Sequence, residues 1–78
     1  MATEFDETLD ASGLACPMPI LKTKKAIDGI EVGKTLKVIA TDPGAPSDMQ
    51  AWTNKTGQQL VDQETDGDKY IFYIKKVK

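Results

Sequence analysis

The chain has 78 residues and a formal net charge of −2, and this length fits a single domain spanning residues 1–78. Apolar residues make up 40% and charged residues 28%, which is typical of a folded globular protein rather than of a disordered one. The slight acidic excess argues against direct nucleic-acid binding, which normally requires a basic surface. Apolar runs are too short to cross a membrane, and the acidic N-terminus lacks a signal-peptide core, so we expect a cytoplasmic protein that binds no membrane.

The first half of the chain predicts a strand, a helix and a second strand. Residues 5–10 alternate weakly between apolar and polar side chains, as in a short strand. Residues 17–28 predict a helix, because Pro17 suits a first helical position, whose N–H would have no intrahelical partner. We expect Gly29 to cap this helix at its C-terminus. The β-branched run of residues 35–41 indicates the second strand.

The second half of the chain predicts another helix followed by a hairpin. Pro46 is expected to open the second helix and Gly57 to end it. Residues 59–65 and 69–75 predict two further strands, and the Asp-Gly-Asp segment between them predicts a tight turn. Aromatic and apolar side chains at helical or alternating spacing are expected in the core: Met49, Trp52, Tyr70 and Phe72.

This β-α-β-α-β-β order predicts an α+β fold, a two-layer α/β sandwich with a four-stranded mixed sheet. The β-α-β units favour right-handed crossovers between parallel strands, and the closing hairpin adds an antiparallel pair. Two helices cover only one face of such a sheet. Ile71 and Tyr73 are expected on the other, open face, which makes that face a candidate contact surface.

Cys16 is the only cysteine of a chain that contains no histidine. A single cysteine excludes an internal disulfide, and the missing imidazole excludes a hydrolase of the Cys-His type. A zinc site would require more ligands than Cys16 can gather, so we expect neither a metal nor a cofactor. The thiol is expected to stay reduced.

The position of Cys16 before the first helix indicates how its thiol can be activated. As the N-cap residue it would accept the Met18 N–H and lie at the positive end of the helix dipole. Pro17 and Pro19 carry no N–H and stiffen the start of the helix. These effects predict a pKa of Cys16 below the value of about 8.5 for free cysteine. The alternative is a buried, inert cysteine, but a purely capping role would be better filled by Ser, Thr or Asp.

Without a second thiol or an imidazole, the chemistry that fits is group transfer through one sulfur atom. The Cys16 thiolate would attack the terminal sulfur of a donor persulfide, and an acceptor would then remove that sulfur from Cys16. Two alternatives remain open. One is a regulatory or protein- or RNA-binding module in which Cys16 is silent or senses redox state, and the other is transfer of selenium by the same nucleophile.

Three segments of the chain carry a resemblance to a known family. They are Asp10-Ala-Ser-Gly-Leu-Ala-Cys-Pro-Met-Pro19, Thr41-Asp-Pro43 and Phe72-x-Ile-x-Lys76. The sequence from about residue 9 to residue 76 resembles the TusA/SirA-like family of small sulfur carriers. The resemblance implies the same β-α-β-α-β-β fold and a persulfide on Cys16. It also implies a cysteine desulfurase or rhodanese-like sulfur donor, a downstream acceptor protein and a cytoplasmic sulfur relay.

The resemblance leaves the destination of the sulfur open. In the best-known members it is 2-thiouridine in tRNA, and in others it is sulfur oxidation or supply to the molybdenum cofactor. Met18 stands where the best-known member of the tRNA pathway has an acidic residue. Met18 thereby removes a negative charge that would oppose thiolate formation.

Several residues around Cys16 are candidates for supporting roles. Pro17, Met18 and Pro19 are expected to shape the helix start. The resemblance places a partner-binding acid at Asp42, whereas Asp10 is interpreted as a turn residue. Lys22, Lys24 and Lys25 are predicted to form a docking face, the alternative being ordinary solvated lysines. We expect a carrier with one such site to act as a monomer.

Overall fold

The computed structural model of the protein describes residues 4–15 and 18–78. Over these residues the chain forms four strands and two helices in the predicted order β-α-β-α-β-β. The elements are β1 (Glu7–Ala11), α1 (Met18–Asp28), β2 (Thr35–Ala40), α2 (Ala45–Thr56), β3 (Gln59–Asp66) and β4 (Lys69–Lys75). The structure confirms the α+β fold class and the mixed sheet.

The order of the strands in the sheet is β1-β2-β4-β3. β1 and β2 are parallel neighbours joined by α1, whereas β4 is antiparallel to both β2 and β3. β2 and β3 therefore run in the same direction but are separated by β4, which the chain forms last. Both helices pack on the same face of the sheet and contact each other there.

The core lies between this face of the sheet and the two helices. Alternate residues of β2 are buried, which is the pattern of a strand with one face covered. Phe72 of β4 is fully buried, as are the other large core side chains Ile27, Leu36, Met49 and Ile74. Trp52 and Tyr70 are half-buried and pack against this cluster, as predicted.

The two helices end in different ways. Gly57 ends α2 as predicted: it adopts a left-handed conformation (φ 81°), and its N–H donates to the Thr53 carbonyl. Gly29 follows α1, but its φ is not positive, and its N–H donates to the Ala26 carbonyl at 3.1 Å. α1 thus ends in a tight i→i+3 turn instead of the left-handed glycine cap.

The open face of the sheet is partly covered, which corrects the predicted contact surface. Phe5 lies outside β1 and places its ring 6.2 Å from that of Tyr73, with the Lys37 ammonium 4.9 Å from the Phe5 ring centre. Tyr73 is consequently only 4% exposed. β1 begins at Glu7 rather than at residue 5, although the Asp6 N–H still donates to the Thr35 carbonyl of β2 at 2.8 Å.

Candidate active site

The loops that follow β1 and β2 meet at one edge of the sheet. Because β1 and β2 are parallel and Ala11 lies opposite Ala40, their carboxyl ends are adjacent. The first loop carries the cysteine motif, and the second begins with Thr41. The Gly13 N–H donates to the Thr41 hydroxyl oxygen at 2.9 Å and ties the two loops together. Thr41 belongs to a segment that carries the family resemblance, but nothing in the sequence predicted this hydrogen bond.

A turn after β1 sets the direction of the first loop. Gly13 has a φ of +80°, and the Leu14 N–H donates to the Ala11 carbonyl at 3.3 Å, as in a type II turn. The Asp10 carboxylate accepts the Ser12 N–H at 3.0 Å. Hydrogen bonding by the Ser12 side chain, and next by its backbone, lowers the pKa of Asp10 below 3.8. Asp10 thus has the turn role that was expected of it.

Cys16 and Pro17, the predicted nucleophile and the first predicted helical residue, lie outside the described residues. The residues on either side show how the helix begins. The Met18 N–H donates to the Ala15 carbonyl at 2.9 Å. The predicted bond from that N–H to the Cys16 sulfur involves a residue outside the described part of the chain and stays a prediction. The helix dipole is a second effect expected to favour a thiolate at Cys16.

The described residues of the Cys-Pro-Met-Pro motif divide between surface and core. Pro19 is buried, and its carbonyl accepts the Thr23 hydroxyl at 2.7 Å inside the protein. Met18 is 43% exposed. Pro19 therefore anchors the start of α1, whereas Met18 contributes an apolar side chain to the surface close to Cys16.

The predicted docking lysines are all exposed on α1. Lys22 and Lys25 line a shallow depression of about 370 Å³ on the outer side of the helix, together with Met18, Leu21, Lys24 and Asp28. Lys25 follows Met18 and Leu21 along one line of the helix. Lys22 and Lys24 lie on opposite flanks, about 160° apart around the axis. Lys24 lies on the flank next to α2.

Asp42 shapes the start of α2. It is half-buried, its carboxylate accepts the Gly44 N–H at 2.9 Å, and its carbonyl accepts the Ala45 N–H at 3.0 Å. These bonds are turn and cap chemistry of the kind that Asp supplies in loops. Asp42 follows Thr41 directly and therefore lies in the same pair of loops as the cysteine motif.

A family model described as "Sulfurtransferase TusA" matches residues 7–76 of the chain. The chain belongs to the TusA family. The match runs from the first residue of β1 to the residue after β4, and so includes every strand and helix of the TusA domain described above.

Curated relatives of this TusA family member are sulfur carriers by name. The chain is 48% identical over 73 residues to the sulfur carrier protein TusA of Allochromatium vinosum, which covers 94% of this chain and 96% of that protein. It is 51% identical over 71 residues to the putative sulfur carrier protein YrkI of Bacillus subtilis, covering 91% of this chain and 95% of that protein. A putative sulfur carrier protein of Halobacterium salinarum is 48% identical over the full length of both chains.

A solved structure has the same fold. The crystal structure of a SirA-like protein from Desulfitobacterium hafniense superposes with a TM-score of 0.80 at 25% sequence identity, covering 94% of this chain and all of that one. Within residues 4–15 and 18–78, neither helix has the length and apolar character needed to cross a membrane. The protein is thus a sulfur-carrier family member with the two-layer SirA-like fold.

Proposed function

We propose that the protein is a persulfide carrier whose reactive atom is the Cys16 sulfur. The Cys16 thiolate attacks the terminal sulfur of a donor persulfide, the donor's S–S bond breaks, and the donor thiolate leaves. An acceptor thiolate next attacks the terminal sulfur of the Cys16 persulfide, which restores the Cys16 thiolate. Each step exchanges one S–S bond for another and needs no outside oxidant or reductant. The full-length match to sulfur carriers, in a chain with one cysteine, is the observation that carries this proposal.

The described residues on either side of Cys16 are anchored to the rest of the fold, which supports the proposal. On one side of Cys16, the turn at Gly13 is tied to Thr41 by a 2.9 Å hydrogen bond. On the other side, buried Pro19 anchors α1 in the core. Both ends of the short segment that carries Cys16 are therefore held by the fold, which favours productive approach of a donor.

The surface next to Cys16 supports a partner-docking role. Met18 and Leu21 are exposed apolar side chains one helical turn apart, and Lys22 and Lys25 lie beside them. We propose that these residues, together with Asp42, bind a cysteine desulfurase or rhodanese-like donor and then an acceptor protein in the cytoplasm. The acceptor would serve tRNA thiolation, sulfur oxidation or cofactor sulfur supply. One exposed site of this size suits a monomer.

Intact mass measurement tests the carrier role. The reduced protein is incubated with a cysteine desulfurase and cysteine, then weighed without reductant. We expect the addition of one sulfur atom, about 32 Da, which Cys16→Ser abolishes. A chain that gains no sulfur from a desulfurase or from a small-molecule persulfide would contradict the proposal and favour the binding-module interpretation.

A second test concerns thiolate formation at Cys16. The rate of alkylation against pH should have its midpoint below about 8.5, because the thiolate lies at a helix N-terminus. Met18→Glu should raise this midpoint, since a carboxylate beside the sulfur opposes its ionisation. Met18→Gln is the matched control with almost the same shape and no charge, and it should leave the midpoint unchanged. An equal rise in both variants would show that packing, not charge, controls the thiol.

A further inference from the structure

The two helices leave a groove between them on the outer surface of the protein. It has a volume of about 290 Å³ and is lined by Ile20, Leu21, Lys24, Trp52, Lys55 and Thr56. Leu21 is 53% exposed, and Ile20 and Trp52 are half-exposed. The Thr56 hydroxyl donates to the Trp52 carbonyl at 2.8 Å and is therefore already used within the helix. The floor of this helix groove is apolar and accessible.

Positive charge borders the helix groove. Lys24 comes from α1 and Lys55 from α2, so each helix contributes one ammonium group. The two helices together carry four lysines and two aspartates, although the whole chain has twelve acidic and ten basic residues. The helical layer is thus basic in a chain that is acidic overall, which favours a partner segment with acidic residues.

The helix groove continues toward the cysteine motif. Leu21 and Lys24 line both the helix groove and the depression on the outer side of α1 that contains Met18. An apolar path with lysines at its borders therefore leads from Trp52, across α1, to the helix start beside Cys16. A segment bound in the helix groove would hold its own protein next to the sulfur.

We propose that the helix groove binds an acidic amphipathic helix of the proteins that exchange sulfur with this chain. This inference rests on the carrier function proposed above for its choice of partner. A groove between two helices accepts the apolar side chains that a third helix presents at i, i+3, i+4 and i+7. Acidic residues on the flanks of that helix would reach Lys24 and Lys55 and set its register.

A synthetic peptide serves as the probe. It is a capped helix of about 18 residues of Leu, Ala and Glu, long enough for several turns, with leucines at the spacing given above. The protein used is full-length Cys16→Ser, so that no thiol chemistry contributes to binding. Trp52 is the only tryptophan of the chain and lines the helix groove, so its fluorescence reports binding directly. We expect saturable binding, with amide shifts of a ¹⁵N-labelled sample confined to α1 and α2.

Charge reversals locate the binding surface. Combined Lys24→Glu and Lys55→Glu should weaken binding about tenfold or more, since two attractions become repulsions. Each single reversal, Lys24→Glu or Lys55→Glu, should weaken binding by a smaller factor. Lys75→Glu, on the opposite face of the sheet, makes the same charge change as either single reversal and should alter the affinity less than about twofold. Leu21→Ser should weaken binding without changing the charge. Circular dichroism checks that each variant is folded. In the Cys16→Ser protein that keeps both lysines, peptide-induced shifts of the Lys24 and Lys55 amides test the site without any further substitution.

Several outcomes would overturn the proposal. The first is that binding does not saturate up to about 1 mM peptide. The second is that a peptide with lysine in place of every glutamate binds equally well. The third is that the largest amide shifts lie in the sheet. Concentration-dependent shifts of the same residues without peptide would identify a second copy of this chain as the occupant. Because the probe protein lacks the thiol, failure of sulfur loading in the wild type would reject the carrier function while leaving this binding result intact.

Discussion

The two faces of the sheet are covered in different ways. On one face, two helices bury large side chains completely, among them Phe72 and Ile74. On the other face, Phe5, which lies outside the sheet, packs its ring near that of Tyr73 while remaining 45% exposed itself. The fold is therefore stabilised mainly from the helical side. The same side carries the cysteine motif and the lysines of α1, so stability and the candidate site depend on one layer.

Charge separates the two layers as well. The two helices carry four lysines and two aspartates, whereas the four strands carry five acidic residues and three lysines. A partner that carries acidic residues would consequently be attracted to the helices more than to the sheet. Three experiments test how far the two sides of the sheet differ.

We expect the greatest difference in stability between substitutions of two aromatic residues, Phe72 on the helical face and Phe5 on the open face. Phe72→Ala should lower the free energy of unfolding by about 3 to 5 kcal/mol, because it leaves a cavity in the main core. Phe5→Ala should cost about 1 kcal/mol, since it removes one ring contact and a cation–π contact at the surface. Urea denaturation of both variants gives these values. Similar losses in the two variants would show that the open face stabilises the fold as much as the helical face.

An intermediate effect is expected at the turn before the cysteine motif. Gly13 has a φ of +80° with open space around the position of a Cβ, so Gly13→Ala should cost about 1 to 2 kcal/mol through backbone strain alone. Sulfur loading should fall as well, because the turn orients the segment that carries Cys16.

Gly29→Ala is the matched control for the turn. A Cβ at Gly29 would make only ordinary contacts, at 3.6 and 3.7 Å, and φ there is not positive. This change should leave stability unchanged or raise it by about 0.5 kcal/mol, with normal sulfur loading. If the Gly13→Ala variant takes up sulfur at the full rate, the turn at Gly13 is not needed for sulfur loading of Cys16.

The smallest effect concerns pH. Burial, and next the negative charge of Glu64, raise the pKa of Tyr73 above 10.0. The unfolded chain therefore loses this proton at lower pH than the folded one. The contribution of the neutral Tyr73 phenol to the free energy of unfolding is therefore fully present below pH 10 and is lost as the pH rises above that value. Tyr73→Phe lacks this group, so its stability should fall less steeply above pH 10 in urea titrations at several pH values. Parallel curves would mean that Tyr73 is not held neutral by the fold.

Much of the local structure followed from the sequence. The β-branched run gave β2 within one residue of its observed end, and Pro46 and Gly57 marked the ends of α2. These features depend on the preferences of a few neighbouring residues, such as the left-handed conformation that glycine accepts at Gly57. The three segments around Cys16, Asp42 and Phe72 likewise indicated the family, and the family match over residues 7–76 confirmed it.

The residues that the sequence missed act through contacts distant along the chain. Thr41 binds the Gly13 N–H across 28 positions, and Phe5 covers Tyr73 from the other end of the chain. For the docking surface, helical spacing shows that Lys22 and Lys24 lie on opposite flanks of α1. It does not show which flank the second helix will face.

The order of the elements, the candidate nucleophile Cys16 and the family could all be inferred from the sequence. Three features became visible in the folded chain alone: β4 lies between β2 and β3, Thr41 binds the turn before the motif, and Lys24 and Trp52 line one groove. The physical reason is the range of the forces involved. Backbone preferences act over a few residues, whereas burial of apolar faces chooses among partners anywhere along the chain.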